Sequence, residues 1–143
     1  MQPPHCTSDM PWVEARIGSD RAGGAYAWRS FLDTGVHLTF NSDFPGETLD
    51  PFRGMYAAMT RQTPEGDPEG GWFPDQRLNR EEVLRAYTFE AAYSSFEEDI
   101  KGRLSPGCLA DVIVLSDDIQ SISVQEFLNV KVEQVYLGGR KVL

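Results

Sequence analysis

The 143-residue chain contains 41% hydrophobic and 24% charged residues, proportions that are typical of an ordinary globular domain and not of a disordered segment. Its formal net charge of −9, with no basic patch, argues against binding to nucleic acid or to an anionic lipid surface. No apolar run approaches the ~20 residues that span a bilayer, and the first residues do not resemble a signal peptide, so the sequence predicts a cytoplasmic protein with one core.

The first segment, residues 1–12, contains three prolines and shows no periodicity, so it is predicted to be a loop. This loop carries a cluster of polar side chains that could take part in binding or catalysis, namely His5, Thr7, Ser8 and Asp9. A helix is predicted to follow from Asp20 to Asp33, with Ser19 as its N-cap and Gly35 as the glycine that ends it. The apolar side chains of this helix share one face, which is typical of core packing.

The apolar and β-branched residues 36–42 predict a short buried strand, which must end before Pro45 because proline has no N–H group for a β-ladder. Asp43 follows this strand at its carboxyl end, where α/β proteins place functional residues. Two interpretations of Asp43 stay open at this point: it starts an Asx-type turn, or it belongs to a functional site. His37, inside the strand, is interpreted as a packed or cross-strand residue and not as a ligand.

A second helix is predicted to begin after Asp50, its N-cap, with Pro51 at its first position. The stretch from Thr60 to Arg77 is rich in glycine, proline and acidic residues and predicts a long loop, of the kind that is functional or mobile in a compact domain. Arg61 and Trp72 of this loop are candidates for lining a substrate mouth. The alternative for Trp72 is that it pins the loop to the core.

The third predicted helix covers residues 80–96 and opens with a capping-box pair, Asn79 and Glu82. With this helix, residues 1–99 form a first predicted unit that consists of a loop, three helices and one buried strand.

Residues 100–143 form a second predicted unit, a β module, because the pattern changes to short extended runs separated by turn signals. A strand buried on both faces is predicted over residues 110–115, and a single helical turn over 124–128. Residues 132–137 and 140–143 predict a β-hairpin with Gly138-Gly139 as its two-residue turn.

The residue types that carry chemistry are sparse in this chain. It has no glycine-rich phosphate loop and no convincing Ser-His-Asp order. Cys6 and Cys108 lie far apart with no metal-ligand spacing, so both are predicted to be free thiols, with Cys108 packed and the state of Cys6 left open. With only two histidines in the sequence, His5, Asp9 and Asp43 are the largest set of potential ligands that could meet.

Many short motifs in order resemble the carboxy-terminal part of the amidohydrolase superfamily, specifically the amidohydrolase-3 group of YtcJ-like and N-substituted formamide deformylase-like metal-dependent hydrolases. The likeness covers nearly the whole chain. The stretches that carry it are Gln2-Pro-Pro-His5, Thr7-Ser-Asp9-Met-Pro-Trp12, Ser42-Asp-Phe-Pro45, Asp50-Pro51, Tyr56-Ala-Ala, Thr60-Arg-Gln62, Gly70-Gly-Trp72, Gln76-Arg77, Tyr87-Thr88, Ala91-Ala-Tyr93, Lys101-Gly102, Pro106-Gly107, Leu109-Ala-Asp-Val112 and Gly138-Gly139-Arg140.

This resemblance implies a mixed α/β fold, made of the last βα part of a (β/α)8 TIM-like barrel and the C-terminal strands of a small β-sandwich. It implies that Asp43 is the aspartate that binds metal or accepts a proton from the attacking water in those enzymes. His5 matches a histidine near the substrate, and Arg61 and Trp72 fall in the loops that line the mouth of the site. The implied activity is metal-dependent hydrolysis of C–N bonds other than peptide bonds.

The other metal ligands of the family, including its His-x-His pair, would lie before Met1, so Asp43 is the only metal ligand that the resemblance leaves in this chain. A single carboxylate binds a divalent metal weakly, because zinc sites need three or four ligands in fixed geometry. We therefore expect no cofactor in this chain alone, a divalent metal such as zinc in the intact family, and no hydrolysis by the chain alone.

A lone strand at 36–42 would leave its backbone groups unpaired, because its barrel neighbours are not in the sequence. We expect the apolar faces to be covered in a homo-oligomer, in some arrangements with exchanged strands, by rearranged packing, or by a partner chain that supplies the missing half of the barrel. Three hypotheses for function follow: an inactive amidohydrolase fragment, one half of a split enzyme, or a non-catalytic binding or interaction module.

Overall fold

The first helix in the computed structural model, which describes all 143 residues, is α1 over Pro3–Ile17. The loop expected over residues 1–12 is therefore wrong. Pro3 and Pro4 occupy the first helical positions, where the missing N–H group costs no hydrogen bond, and only Pro11 lies inside the helix. The buried residues of α1 recur at helical intervals, a pattern that the three prolines obscured in the sequence; they are Pro3, Pro4, Cys6 and Val13.

The helix expected from Asp20 to Asp33 is two short helices, α2 over Ser19–Ala22 and α3 over Trp28–Asp33. The two glycines at positions 23 and 24 weaken the helix between them, and Tyr26 has a left-handed backbone with φ of 53°. The predicted glycine at the end is confirmed, since Gly35 has φ of 81° and its N–H donates to the carbonyl of Leu32 at 2.8 Å.

Residues 36–42 belong to no β-ladder, so the strand predicted there is not formed. Leu38 and Phe40 point into the core as a buried strand would require. The backbone partners come from a helix and from the chain start: Phe40 N–H donates to the Ala86 carbonyl at 3.1 Å, and the amino group of Met1 donates to the Thr39 carbonyl at 2.6 Å. The segment is held without strand neighbours.

Helix α4 over Pro51–Thr60 begins as predicted, because the Asp50 carboxylate accepts a hydrogen bond from the N–H of Phe52 at 2.9 Å. It is the central helix of the fold, with every residue from Gly54 to Thr60 buried. Its buried apolar side chains join one core cluster with residues of both predicted units, 1–99 and 100–143, including Cys6, Trp28, Phe40, Val83, Phe127 and Val130.

The predicted third helix begins at its capping box but is interrupted. Helix α5 spans Arg80–Tyr87, with the Asn79 side chain accepting from the N–H of Glu82 at 2.9 Å. Thr88 has φ of −122° and ψ of −86°, which lie outside the helical region, and a separate helix α6 then spans Phe89–Ser94.

The loop between α4 and α5 is confirmed as a long irregular connection, broken only by a 3-10 helix at Pro74–Gln76. A second 3-10 helix, Gln125–Asn129, is the predicted helical turn, and it buries Phe127 in the core.

The C-terminal residues form a three-stranded antiparallel sheet in the order β1-β2-β3, with β1 over Val112–Leu115, β2 over Val132–Leu137 and β3 over Arg140–Lys141. The hairpin is confirmed, with Leu137 opposite Arg140 across the glycine pair. The burial of β1 on both faces is wrong, because Ile113 is 51% exposed. Together the elements make a mixed α/β chain, and a barrel fragment within it stays a prediction.

Several large apolar side chains lie on the surface. Phe96 is 92% exposed and Leu104 is 85% exposed. A partner surface that covers these side chains stays a prediction.

None of the helices has the length and apolar character needed to cross a lipid bilayer.

The glycine at position 71 gives a testable prediction for the loop after α4. Its φ is +85°, and a Cβ atom there would lie 2.2 Å from the carbonyl oxygen of Thr60. Gly71→Ala should therefore lower the free energy of unfolding by about 3 kcal/mol, as backbone strain adds to a clash with a fixed backbone atom. Urea denaturation measures the change.

The matched control is Gly70→Ala, because Gly70 has a similar φ of +77° and nothing within 4 Å of its added Cβ. We expect only the backbone cost there, about 1 kcal/mol. Equal effects of the two substitutions would contradict the close approach of Gly71 to Thr60.

Candidate functional site

A histidine between two carboxylates is the candidate functional site. His5 Nε2 lies 3.2 Å from Asp43 Oδ2, and His5 Nδ1 lies 3.1 Å from Glu47 Oε1. Asp43 is the outermost member, with 65% of its side chain exposed, whereas Glu47 is 17% exposed. A neutral imidazole donates to one of these carboxylates and an imidazolium donates to both. His5 and Asp43, two of the three potential ligands that the sequence left free to meet, therefore lie in contact in the fold.

A tight turn places Asp43. Its φ is 55°, its N–H donates to the Asn41 side-chain oxygen at 3.0 Å, and its carbonyl accepts from the N–H of Gly46 at 2.8 Å. Asn41 therefore supplies the side chain of the Asx-type turn, and the Asp43 carboxylate is directed to His5 instead. A Cβ atom at Gly46 would lie 3.0 Å from the Asp43 carbonyl oxygen, so this close turn favours glycine.

Asp9 does not join His5 and Asp43. Its carboxylate accepts a short hydrogen bond from the hydroxyl of Tyr26, which links α1 to the segment before α3. Burial, and then the hydrogen bond to Asp9, raise the pKa of the Tyr26 phenol well above its usual value. Asp9 thus serves to connect two elements.

Arg61 lies entirely inside the protein, with no exposed surface. Its guanidinium group lies 4.8 Å from the ring centroid of Trp28 and 5.1 Å from that of Trp72. It donates to three backbone carbonyls and forms no ion pair, and burial lowers its pKa. The carbonyls belong to Trp72, to Tyr26 at 2.8 Å and to Ala25 at 3.4 Å.

In this position Arg61 and Trp72 hold the loop against the core, which agrees with the alternative that Trp72 pins it. The Arg61 side chain does not reach the solvent. A contact of either residue with substrate stays a prediction.

His37 is tied to helix α6 and not to a strand. Its Nδ1 lies 2.6 Å from Glu90 Oε2, while the other Glu90 oxygen accepts from Arg85 Nε at 2.6 Å. The ring also stacks on Tyr93 with centroids 3.8 Å apart. These contacts fix the start of the segment that ends at Asp43.

The residues of this chain do not make a metal centre on their own. No group of three or more histidine, cysteine, aspartate and glutamate side chains is arranged to hold a metal ion. Both ring nitrogens of His5 face carboxylates, so neither is directed toward a shared open position with Asp43. Zinc sites need three or four such groups, and Asp43 with His5 falls short of that number.

Sequence reasoning missed one group of this site, Glu47, and the burial of Cys6 in the core. Glu47 lies four residues beyond Asp43 in a turn, and only its contact with His5 distinguishes it from an ordinary surface carboxylate. For the thiols, Cys6 is fully buried and Cys108 is only partly buried, so the prediction that Cys108 is the packed one is wrong in degree. The helical repeat of α1 was the signal that would have placed Cys6 in the core.

A family model described as the amidohydrolase family matches residues 1–143, the whole chain. Among curated proteins, YtcJ of Bacillus subtilis (strain 168) is 29% identical over 142 residues, which are 99% of this chain and 27% of YtcJ. The N-substituted formamide deformylase of Arthrobacter pascens is 32% identical, over 78% of this chain and 20% of the deformylase. The chain thus spans about a quarter of the length of these relatives.

Among solved structures, a metal-dependent hydrolase of Pyrococcus horikoshii OT3 superimposes with a TM-score of 0.76 at 30% identity. The superposition covers 87% of this chain and 25% of that hydrolase. The fold of the chain is therefore similar to one part of a larger enzyme.

The buried guanidinium gives a second testable prediction. Arg61→Met keeps the apolar stem between the two indole rings but leaves the carbonyls of Trp72 and Ala25 without a donor, whereas the Tyr26 carbonyl still accepts from the N–H of Trp28 at 2.9 Å. We expect a loss of about 3 kcal/mol in the free energy of unfolding, because buried unsatisfied carbonyls are costly. Arg140→Met, at an exposed arginine of β3, is the control and should change stability by less than about 0.5 kcal/mol.

The buried thiol gives a prediction about alkaline pH. Burial raises the pKa of Cys6 from 9.0 to about 11, so the folded chain holds this proton more tightly than the unfolded chain does. The stabilisation is complete below pH 9 and is lost as the pH rises toward 11. Between pH 8 and pH 10.5, the free energy of unfolding should decrease less for Cys6→Ala than for the wild type. For Cys108→Ala it should decrease as much as for the wild type. Unfolding curves at the two pH values measure the difference.

Proposed function

The chain belongs to the amidohydrolase family, and we propose that it supplies the Asp43 carboxylate, oriented by His5, to a metal-dependent hydrolase site that acts on C–N bonds other than peptide bonds. The observation that carries this proposal is the placement of His5 between Asp43 and Glu47. The contact with His5 fixes the direction of the exposed Asp43 carboxylate, whereas an aspartate in a turn without such a contact would be free to rotate.

The free oxygen of Asp43 is the group that would act on the substrate side. Oδ2 is engaged by His5, and more than half of the side chain is open to solvent, so Oδ1 is available to a water molecule. A carboxylate in this position accepts a proton from an attacking water and later returns it to the amine that leaves. The N-substituted formamide deformylase among the relatives is named for cleavage of a C–N bond of this kind.

His5 and Glu47 are positioning residues in this proposal. His5 holds one carboxylate oxygen of Asp43, and Glu47 holds the other side of the His5 ring. A carboxylate on the second ring nitrogen fixes the orientation of the ring, and the imidazolium form of His5 donates to both carboxylates at once. Loss of Glu47 should therefore weaken the action of Asp43 without removing it.

The metal of this family is proposed to be held mainly by residues that these 143 do not contain. The chain has two histidines, and no set of three ligand side chains converges. We accordingly propose that the chain alone is inactive and becomes part of a working site only together with the remaining ligands.

A partner for this chain is a second proposal, and its support is the apolar surface. A groove of 710 Å³ lies between α4, α5, α6 and β1, and the exposed side chains of Leu104 and Ile113 are part of its lining. Exposed apolar surface of this kind is typical of contacts between chains. We propose that it is covered by a second copy, in some arrangements with exchanged strands, or by a partner chain that carries the other part of the enzyme.

Solution mass tests this second proposal. The chain has a mass of 16.0 kDa, and sedimentation should show a larger species at micromolar concentration. A stable monomer that stays soluble at high concentration would contradict self-association, and only the partner chain would then remain.

A deformylase graft tests the catalytic proposal. The 143 residues replace the matching part of the Arthrobacter pascens deformylase, and turnover of an N-substituted formamide is measured with zinc present. Asp43→Asn in the graft should lower kcat by at least about 100-fold, and Glu47→Gln by less, because proton transfer by a positioned carboxylate contributes ~10²–10⁴-fold.

Asp20→Asn, at an exposed aspartate of α2, is the matched control and should leave turnover unchanged. The isolated 143-residue chain should show no turnover under the same conditions. Turnover by the isolated chain with stoichiometric zinc, or full turnover by the Asp43→Asn graft, would contradict the proposal.

A further inference from the structure

A small polar cavity lies beside the candidate site, between helices α1 and α4 and the loop that follows α4. It encloses 130 Å³, and its polar lining residues are Thr7, Ser8, Glu47, Thr48, Arg53 and Gln62. Glu47 is shared with the candidate site, where its carboxylate contacts His5 on the ring nitrogen opposite to the one that faces Asp43. The cavity and the Asp43 carboxylate therefore lie on opposite sides of the His5 ring.

A buried tyrosine in the cavity wall lacks a partner. Tyr56 of α4 is 2% exposed as a residue and lines the cavity, and its hydroxyl group, which has no protein partner, reaches the open space of the cavity. Most polar groups inside folded proteins find a hydrogen-bond partner, so this hydroxyl group is free to bond to a molecule in the cavity. The position of Tyr56 indicates that its partner is a molecule that enters the cavity.

The other polar groups of the cavity offer both donors and acceptors. The Arg53 guanidinium has only a loose contact of 4.0 Å with the Asp50 carboxylate, so its N–H groups are available. Both N–H bonds of the Gln62 amide are used by the carbonyls of Gly66 and Pro68, at 2.6 and 3.0 Å, which leaves its oxygen as an acceptor. A ligand that fits must present donors and acceptors together.

Charge excludes a simple anion from this cavity. Glu47 is in the wall, Asp50 lies beside Arg53, and the chain as a whole has a net charge of −9. A carboxylate or phosphate would face these acidic groups across a short distance. A cation would in turn face the Arg53 guanidinium, so a neutral group is favoured.

We propose that this cavity binds a neutral carboxamide or ureido group of the substrate, at a position separate from the bond that Asp43 acts on. Such a group has about four non-hydrogen atoms, and 130 Å³ corresponds to roughly four water volumes of ~30 Å³ each. Tyr56 and Arg53 donate to its oxygen, and Glu47 and Gln62 accept from its N–H groups. This subsite deepens the proposed function, because it names a part of the substrate that the site recognises.

Binding of small probes to the full chain tests the subsite without any turnover. Acetamide and urea are titrated into the ¹⁵N-labelled protein to about 0.2 M, with acetate and methylammonium as probes of similar size and opposite charges. We expect saturable shifts for the two neutral probes at amides near Glu47 and Tyr56, with a Kd of the order of 10 mM, as is typical of ligands this small. Acetate and methylammonium should bind at least about fivefold more weakly.

Tyr56→Phe removes only the unpartnered hydroxyl group and should weaken acetamide binding about two- to tenfold, the effect of one hydrogen bond. Ser8→Ala, at an exposed position of α1, is the second variant and should weaken it to a smaller extent. Tyr93→Phe, at an exposed tyrosine of α6, is the matched control and should bind acetamide as the wild type does. Thermal unfolding of each variant shows that the fold is retained.

Three results would overturn the subsite: no saturable shift with acetamide or urea, acetate binding as tightly as acetamide, or unchanged binding in both Tyr56→Phe and Ser8→Ala. The outcome is separable from that of the proposed function. Loss of turnover in the Asp43→Asn graft with no binding of neutral probes would leave the hydrolase proposal standing and remove the subsite. Binding of the neutral probes together with full turnover by the Asp43→Asn graft would leave the subsite standing and remove the hydrolase proposal.

Discussion

The guanidinium group of Arg61, buried between the indole rings of Trp28 and Trp72, is the interaction on which the arrangement of the other elements depends. It has no carboxylate partner, and its charge is stabilised by three backbone carbonyls and by two aromatic faces. These carbonyls belong to the segment before α3 and to the loop after α4, so one side chain at the end of α4 joins these two segments. A guanidinium group is suited to donating to several carbonyls at once because its N–H donors are fixed in one plane.

The candidate site is built from the same elements. Arg61 fixes the backbone at Tyr26, whose hydroxyl group donates to Asp9 of α1, and the same helix presents His5 four residues earlier. Three residues of α1 thus point in different directions. Cys6 packs in the core, Asp9 contacts Tyr26, and His5 contacts Asp43 in the turn after residue 42. Helix α1, which the prolines obscured in the sequence, therefore brings His5 into contact with Asp43 and Glu47. Positioning of an otherwise exposed carboxylate depends on it.

Family membership explains why the chain combines a well-packed core with an incomplete surface. A sheet of three strands and a helical layer meet in one core, yet large apolar side chains such as Phe96 and Leu104 stay exposed. The relatives are about four times longer, and the superimposed hydrolase extends well beyond the matching part. In the same way, the His5, Asp43 and Glu47 cluster provides acid–base groups without a metal centre, and the polar cavity beside it provides hydrogen-bonding groups without a reacting one.

The sequence by itself determined the features whose partners lie within a few residues. The Asp50 cap, the Asn79 and Glu82 box, the glycine at position 35 and the Gly138-Gly139 hairpin were all predictable, because each hydrogen bond closes within one turn of chain. Only the tertiary structure decided that residues 36–42 pair with a helix end and the chain start, that Arg61 lies inside, and that Glu47 contacts His5. Their partners are distant in sequence or carry no local signature, and a short-range pattern cannot specify a contact that forms only when separate elements pack together.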